Sequence, residues 1–498
     1  MTPAPLSPAA RRRVVAGLML AISLAAIDLL IVATAVPDIA GDLGDLGQTA
    51  WVFTAYLLGS TTTMPLWGKL GDLHGRKRAI QAACVLFMGA SVLAGVSQTM
   101  WMLILARFVQ GLGGGGLQSL PAGIVGDIAP PRQRGAYLAA VTSVWAAAAI
   151  LGPVIGGGFV DTVGWRWVFY INLPLGVVAL VLVSGSLQLP DSDRDPQLDV
   201  LGAVLMLVAT GSVVLATATG GDEIDWGSAP MGGLLAVAAV AAAAFVWWER
   251  RVAEPIVRLS MFREPVVRSG AVTTFFFGMA NFGTAIVIPL YGRIVTGLDA
   301  TTAGLMLAPV SVGIVCSTSL VGRAIKRTGR YRAFPPAGAA VFALGVLWFV
   351  SLDSSAPTVL LFAAAFVAGL GNGAIGVVVT ISIQNVVPHR DLGAATATAI
   401  FARALGQTLG SALLGAVLAA RLDVHLFDLV PGDDVDPDVL RASPDTVEGF
   451  SPAVRAGVTE AFHRSLDEVL LVMVGFALLA LLAGLTIRNV ALGEPEES

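Results

Sequence analysis

Fourteen apolar runs, each roughly 18–25 residues long and separated by short polar segments, constrain this chain more than any other feature. They lie near 14–36, 50–68, 79–98, 101–125, 136–160, 170–188, 199–219, 230–248, 268–291, 303–322, 334–352, 357–379, 393–420 and 467–487. Runs of this length need a bilayer, because a helix is one of the few structures that satisfies its own backbone in lipid. Composition agrees: 56% of the 498 residues are hydrophobic, only 13% are charged, and the mean hydropathy is +0.80. A soluble protein of this size requires far more polar surface. The expected fold class is an all-α polytopic membrane protein.

Arg11-Arg12-Arg13 precede the first run. That run is longer than a signal-peptide core of roughly 7–15 residues, so it reads as a retained helix. Placing the N-terminus in the cytoplasm puts 22 of the 30 Lys and Arg residues on cytoplasmic segments, 6 outside and 2 within helices. That asymmetry sets the expected orientation, with both termini cytoplasmic and the protein multi-pass in the plasma (inner) membrane. Cys84 and Cys316 lie within apolar runs, where packing is the expected role.

The polar stretch Gly68-Lys69-Leu70-Gly71-Asp72-Leu73-His74-Gly75-Arg76-Lys77-Arg78 falls between the second and third runs, and is expected to be a tight loop at the membrane surface. A degenerate copy follows 254 residues later, with Gly322, Ala324, Lys326, Gly329, Arg330 and Arg332 standing where Gly68, Leu70, Asp72, Gly75, Arg76 and Arg78 stood. Phe108-Val109-x-Gly111-Leu112-Gly113-x-Gly115 likewise reappears 258 residues on as Phe366-Val367-x-Gly369-Leu370-Gly371-x-Gly373. The last six runs thus repeat the first six, around an inserted pair. The expected organisation is 6+2+6: a half at 1–190, an inserted helix pair with cytoplasmic linkers at 191–265, and a half at 266–498. Polar segments 37–49, 190–197, 249–268 and 421–466 read as loops or linkers. The last of these is acidic, with 452–464 able to form a helix or to stay solvated. Repeats of this kind place a binding site between halves.

Several motifs together resemble the fourteen-helix drug:proton antiporter branch of the major facilitator superfamily. The hairpin pattern G-x-L-x-D-x-x-G-R-K matches its loop between helices 2 and 3. Asp28 stands nine residues before Pro37, as in that family's first helix, although the usual Thr and Asn between them are Leu30 and Ala33. Arg107 with Gln110-Gly111 matches R-x-x-Q-G, and Gly152-Pro153 with Gly156-Gly157 matches the antiporter motif G-P-x-x-G-G, with Ala148 replacing an earlier glycine. The resemblance runs from Asp28 to the last helix. It implies two six-helix halves related by a pseudo-two-fold axis, alternating access, and a proton gradient as energy source with no cofactor.

The residues themselves support roles of this kind. A carboxylate in mid-membrane costs about 2.5–3.5 kcal/mol on insertion scales, so Asp28 is expected to couple protons, or else to face a wet cavity and attract cations. Arg107, whose repeat position is Ala365, is expected to stabilise that carboxylate or to bond between helices. Asp72, Arg76 and Asp127, with Gly68 and Gly75, are expected to form an inner gate; positive-inside signalling alone is the plainer reading of the basic residues. Gly152, Pro153, Gly156 and Gly157 allow close helix packing and a bend. Arg403, Gln110, Trp51 and Tyr56 are candidates for a cavity lining.

The expected function is a proton-coupled exporter of amphipathic or cationic drug-like compounds, monomeric, with protons, substrate and lipid as partners and no nucleic acid. The alternative on the same fold is a dedicated exporter of one endogenous metabolite, antibiotic or lipid. A membrane-embedded enzyme would need a clustered nucleophile, metal or cofactor site. A passive sensor would show no Asp28-dependent proton flux. Gly111–Gly116 and Gly371–Gly376 both fit G-x-G-x-x-G, yet neither follows a strand, so dinucleotide binding is not expected. His74, His389, His425 and His463 read as loop residues without metal spacing.

Overall fold

The computed structural model describes residues 8–44, 48–187, 199–221, 224–298, 300–352, 356–388, 391–430, 451–488 and 490. The described chain is helical nearly throughout. In order it forms α1 (Pro8–Leu43), α2 (Thr49–His74), α3 (Arg76–Gly95), α4 (Met100–Ile128), α5 (Pro131–Thr162), the single turn α6 (Trp167–Tyr170) and α7 (Asn172–Ser186). The pair α8 (Val200–Thr219) and α9 (Ala229–Glu249) follows, then a 3-10 turn at Leu259–Arg263. The chain ends with α10 (Pro265–Ile294), α11 (Ala300–Leu305), α12 (Leu307–Thr328), α13 (Phe334–Val350), α14 (Thr358–Val386), α15 (Leu392–Leu429) and α16 (Pro452–Leu485).

A helix occupies most of each of the fourteen apolar runs. Among the described residues, nine helices are long and apolar enough to cross a bilayer, or ten when the two arms of a bent one are taken together. α13, at 17 residues, is apolar but shorter than the others. The bent helix is α5, whose arms 133–149 and 154–162 meet at 44°. The bend falls at Pro153, which has no backbone N–H to give the helix.

Several stretches expected as loops are helical. The Gly68–Arg78 loop is the end of α2, a one-residue turn at Gly75 with φ +88°, and the start of α3. Glycine is needed there because a side chain rarely adopts a positive φ. α1 continues past Pro37 to Leu43, since the last turns of a helix ending in polar residues cost little at a membrane surface. The segment 421–466 is helical at both ends: α15 runs on to Leu429, and α16 starts at Pro452, capped by Ser451, and reaches the membrane without a break. Amphipathic turns continuous with an apolar helix avoid a second nucleation. Residues 431–450 and 190–197 lie outside the described residues. His74, His425 and His463 sit in helices instead of loops.

The helices pack in two groups. In the first, α2 and α3 lie on α4 while α1 lies on α5 and α7. In the second, α12 and α13 lie on α14 while α10 lies on α15 and α16. The glycine repeat explains the likeness. A Cβ at Gly111 would run into the Tyr56 carbonyl, and one at Gly369 into the Val310 carbonyl, so backbones meet at both places. Gly111–Gly116 therefore lies in the middle of α4 as a packing surface. The two groups meet where α5 crosses α12 and where α2 crosses α15. α8 touches α2 and α15, which places the inserted pair beside that second crossing.

Candidate functional site

A sealed polar centre lies inside the first group of helices. α1 supplies Asp28, α3 Ser91, α4 Arg107 and Gln110, and α7 Asn172; each of these side chains is fully buried. Arg107 Nη1 pairs with Asp28 Oδ2. Gln110 Nε2 and Asn172 Nδ2 donate to Asp28 Oδ1 at 2.8 and 2.9 Å. The same two nitrogens reach Ser91 Oγ at 2.8 and 3.2 Å, and Arg107 Nη1 also donates to Gln110 Oε1 at 2.7 Å. Arg107 Nε donates to the Val52 carbonyl at 3.2 Å, and the guanidinium lies 4.5 Å from the Tyr56 ring centre. Gln110 and Tyr56 thus belong to this centre and not to an open cavity lining.

The arrangement is a buried ion pair whose carboxylate receives three donors. Breaking such a pair by neutralising one partner costs on the order of 3–5 kcal/mol, because the other charge remains buried. A proton arriving at Asp28 would leave Arg107 in that condition, so protonation cannot leave the local packing unchanged. The antiporter-motif glycines sit close by. A Cβ at Gly152 would stand 2.8 Å from Leu30 Cβ, and one at Gly156 3.0 Å from the Ile31 carbonyl, so α5 rests directly on the turn of α1 that follows Asp28. Gly157 has open space around it. Trp51 packs half-buried among apolar residues that include Ile31 and Val52.

A second centre lies at the end of the bundle that carries Gly75, called here the basic end. Arg76 is buried between two acids: its Nη2 donates to Asp72 Oδ1 at 2.8 Å, and its Nη1 pairs with Asp127. Arg76 Nη1 also donates to the Gly123 carbonyl at 2.9 Å. Asp72 then bonds across to the other group of helices. It accepts from the backbone amides of Gly393 (3.2 Å) and Ala394 (2.7 Å), two of the free donors at the start of α15. Gly68 lets α2 come this near, since a Cβ there would run into Ala397 and stand 3.0 Å from the Gly393 carbonyl.

Further contacts close the same end. Gln384 Nε2 donates to the Ala122 carbonyl at 2.9 Å, and Arg134 Nη1 to the Gln384 carbonyl at 3.4 Å. The linker after α9 lies across the seam: Lys69 pairs with Glu254 at 2.6 Å, and Arg258 with Asp391 at 3.0 Å. Glu249 holds that linker by accepting from the amides of Ile256 and Val257, both at 3.2 Å.

Sequence reasoning named Asp28, Arg107, Asp72, Arg76 and Asp127, and the structure brings them into these two centres. Asn172 stands in an aromatic stretch, Trp165 to Pro174. An amide two residues past an interfacial aromatic cluster, at the mouth of an apolar run, is the signal that could have raised it. Ser91, Lys69, Glu254, Gln384 and Asp391 gave no local signal, because their partners lie far away in sequence. Arg403 sits half-buried in the second group of helices, apart from both centres.

The major facilitator superfamily sequence profile matches residues 18–411, most of the chain. The chain belongs to the major facilitator superfamily. It is 34% identical over 487 residues to an uncharacterized MFS-type transporter of Mycobacterium tuberculosis, covering 98% of this chain and 71% of that one. It is 34% identical over 424 residues to the multidrug transporter protein MdtP of Bacillus subtilis, covering 84% and 78%. Its fold is similar to that of the proton:xylose symporter XylE, with a TM-score of 0.61 at 14% identity over 96% of each chain. This superfamily member is a multi-pass membrane transporter of small molecules and not an enzyme.

Proposed function

We propose that this transporter is a proton-coupled exporter of amphipathic or cationic drug-like compounds that works by alternating access. The observation that carries the reading is the solvent-sealed Asp28–Arg107 pair, with Gln110 and Asn172 completing the carboxylate's coordination. The name of its relative MdtP, a multidrug transporter, supports the breadth of transport. In this reading the fourteen apolar runs all span the plasma membrane as 6+2+6, and the basic end is cytoplasmic. The described conformation is then closed to the cytoplasm through Asp72, Arg76, Asp127 and α15.

The mechanism follows from charge conservation in a small space. Proton uptake from outside neutralises Asp28 and leaves Arg107 without its counter-charge. The resulting cost favours a rearrangement of α1 against α4 that gives Arg107 other acceptors. α4 also carries Asp127, 20 residues from Arg107, or about 30 Å along the axis. A shift of α4 therefore disturbs the gate at its far end. Reopening toward the cytoplasm loads substrate and releases the proton, and a membrane potential adds about 2.3 kcal/mol per charge per 100 mV.

The test is proton flux in inside-out vesicles with an acid interior, challenged with a panel of lipophilic compounds. The wild type is expected to release protons on addition of a transported compound, and Asp28→Asn to release none while staying folded and monodisperse. Proton release that survives Asp28→Asn would refute Asp28 as the coupling group. A response to a single compound in a broad panel would favour a dedicated exporter.

A further inference from the structure

Among the described residues, Arg403 is a cation deep within an apolar run that neither centre uses. It lies on α15, eleven residues into the helix, with its guanidinium against α14: a Cβ added at Gly376 would stand 2.9 Å from Nη1. Every other buried cation described above has an answer. Arg107 has Asp28, Arg76 has Asp72 and Asp127, Lys69 has Glu254, and Arg134 has the Ala129 and Gln384 carbonyls. Among the described residues, no hydrogen bond or ion pair is formed by the Arg403 guanidinium.

Among the described residues its own half supplies no counter-ion. α10, α12, α13 and α14 contain no Asp or Glu, the α16 acids Glu460, Asp467 and Glu468 pair with Arg464, His463 and Arg421, and the first acid on α15 is Asp423, twenty residues on from Arg403. About 30 Å of helix separates the two. The guanidinium remains charged under any physiological condition. It is not fully enclosed by protein, in contrast to Arg107. Nor does the packing need it. The α10–α15 contact at this level is made by backbone, since a Cβ at Gly278 would run into the Arg403 carbonyl, and the repeat position 258 residues earlier is Trp145. Beside it, Asn372 Nδ2 donates to Asn281 Oδ1 at 2.5 Å, within about one helical turn of Gly376 and Gly278 respectively.

We infer that Arg403 docks an acidic group of the transported compound, so that the preferred substrates are amphipathic molecules bearing a carboxylate, zwitterions included. The inference rests on the exporter reading and narrows it. A carboxylate meets the planar guanidinium in a two-point, charge-assisted contact. The Asn281–Asn372 amides beside it offer polar atoms to the rest of the molecule. Asp28 offers a cationic substrate little in this conformation, because Arg107, Gln110 and Asn172 already occupy its oxygens.

The test uses a matched pair of dyes, rhodamine 110 with a free carboxyl group and its methyl ester rhodamine 123. Proton-driven uptake of each is measured in proteoliposomes holding the full chain, with Arg403→Gln and Arg403→Lys beside the wild type. The free acid is expected to have the lower KM, by roughly 10–100-fold, the range a charged hydrogen-bonded contact supports. Arg403→Gln is expected to remove that preference while leaving the ester's KM and the proton dependence unchanged, and Arg403→Lys to restore part of it. Transport of the ester with no preference for the acid, or an equal change for both dyes in Arg403→Gln, would leave the exporter reading standing and overturn the docking role. Transport of neither dye by the folded wild type would count against the exporter reading itself, and the docking role would fall with it.

Discussion

The two crossings that close the basic end are repeats of one another and are held in different ways. At one, α2 meets α15 through Gly68 and Gly393; at the other, α12 meets α5 through Gly322 and Gly135. Gly322 stands 254 residues after Gly68, and Gly393 stands 258 after Gly135, so the same contact is made twice. The hairpin turns correspond too, with Gly75 at φ +88° and Gly329 at φ +66°. Among the described residues, only the first crossing carries a charge clamp. Asp72 reaches two free amides of α15, whereas Lys326 occupies its repeat position. The helices also differ. α15 begins at Leu392, so Gly393 and Ala394 have free N–H groups; α5 begins four residues before Gly135, inside whose helix that N–H is already engaged. Glycine fixes how near two helices come, and a helix start decides whether an acid can hold them there. In the exporter reading, the α2–α15 crossing is the latch and the α5–α12 crossing the pivot.

The comparison can be broken at several strengths. The largest gate effect is expected from Asp72→Asn, which gives up the charge behind two bonds worth about 1.5–3 kcal/mol each, while Arg76 keeps Asp127. The basic end should open in at least a tenfold larger fraction of molecules. Pulsed dipolar spectroscopy between spin labels at exposed positions 74 and 328, in a cysteine-free background, reads that fraction directly. An unchanged distance distribution would remove Asp72 from the latch.

A smaller effect, and a sharper contrast, comes from adding one methyl group to each crossing. Gly68→Ala places a Cβ onto Ala397, while Gly322→Ala places one 3.2 Å from the Gly135 backbone. The first is expected to favour the open form clearly, by about 1–3 kcal/mol of overpacking, and the second much less. Equal shifts in the same label distances would show that the two crossings bear alike on closure. The smallest effect is expected from Lys326→Asp. It installs the acid opposite Gly135 and Ala136, whose amides are already engaged inside α5, so the distance distribution should stay within error of the wild type. A tighter closed population would mean that charge alone makes the latch.

Much of the fold was legible in the sequence, because its signals are local or repeat at a fixed offset. Apolar run length and the glycine repeat can each be read without knowing which helices touch. The candidate residues were legible for a related reason: Asp28 and Arg107 are charges where a membrane tolerates few, so rarity marks them. Their partners were not marked. Asn172 lies 144 residues from Asp28 and is an ordinary amide in its own surroundings. The role of Gly393 is invisible in a glycine-rich chain until Asp72, 321 residues away, is seen on its amide. Loop boundaries were the other weak point. A helix can run past the membrane into polar sequence at no loss of backbone bonding, as α1, α15 and α16 do, and hydropathy registers only where lipid ends.

By itself, the sequence determined that this chain is a duplicated, all-helical membrane transporter with a buried acid and a buried base in its first half. Tertiary structure decided that acid and base form one sealed pair and that, among the described residues, an acid bonds across only one of the duplicated glycine crossings and Arg403 has no counter-ion. The physical reason is the reach of each interaction. Burial and helix formation act within a run of residues, whereas hydrogen bonds and ion pairs are settled by which atoms come within about 3 Å, whatever their separation along the chain.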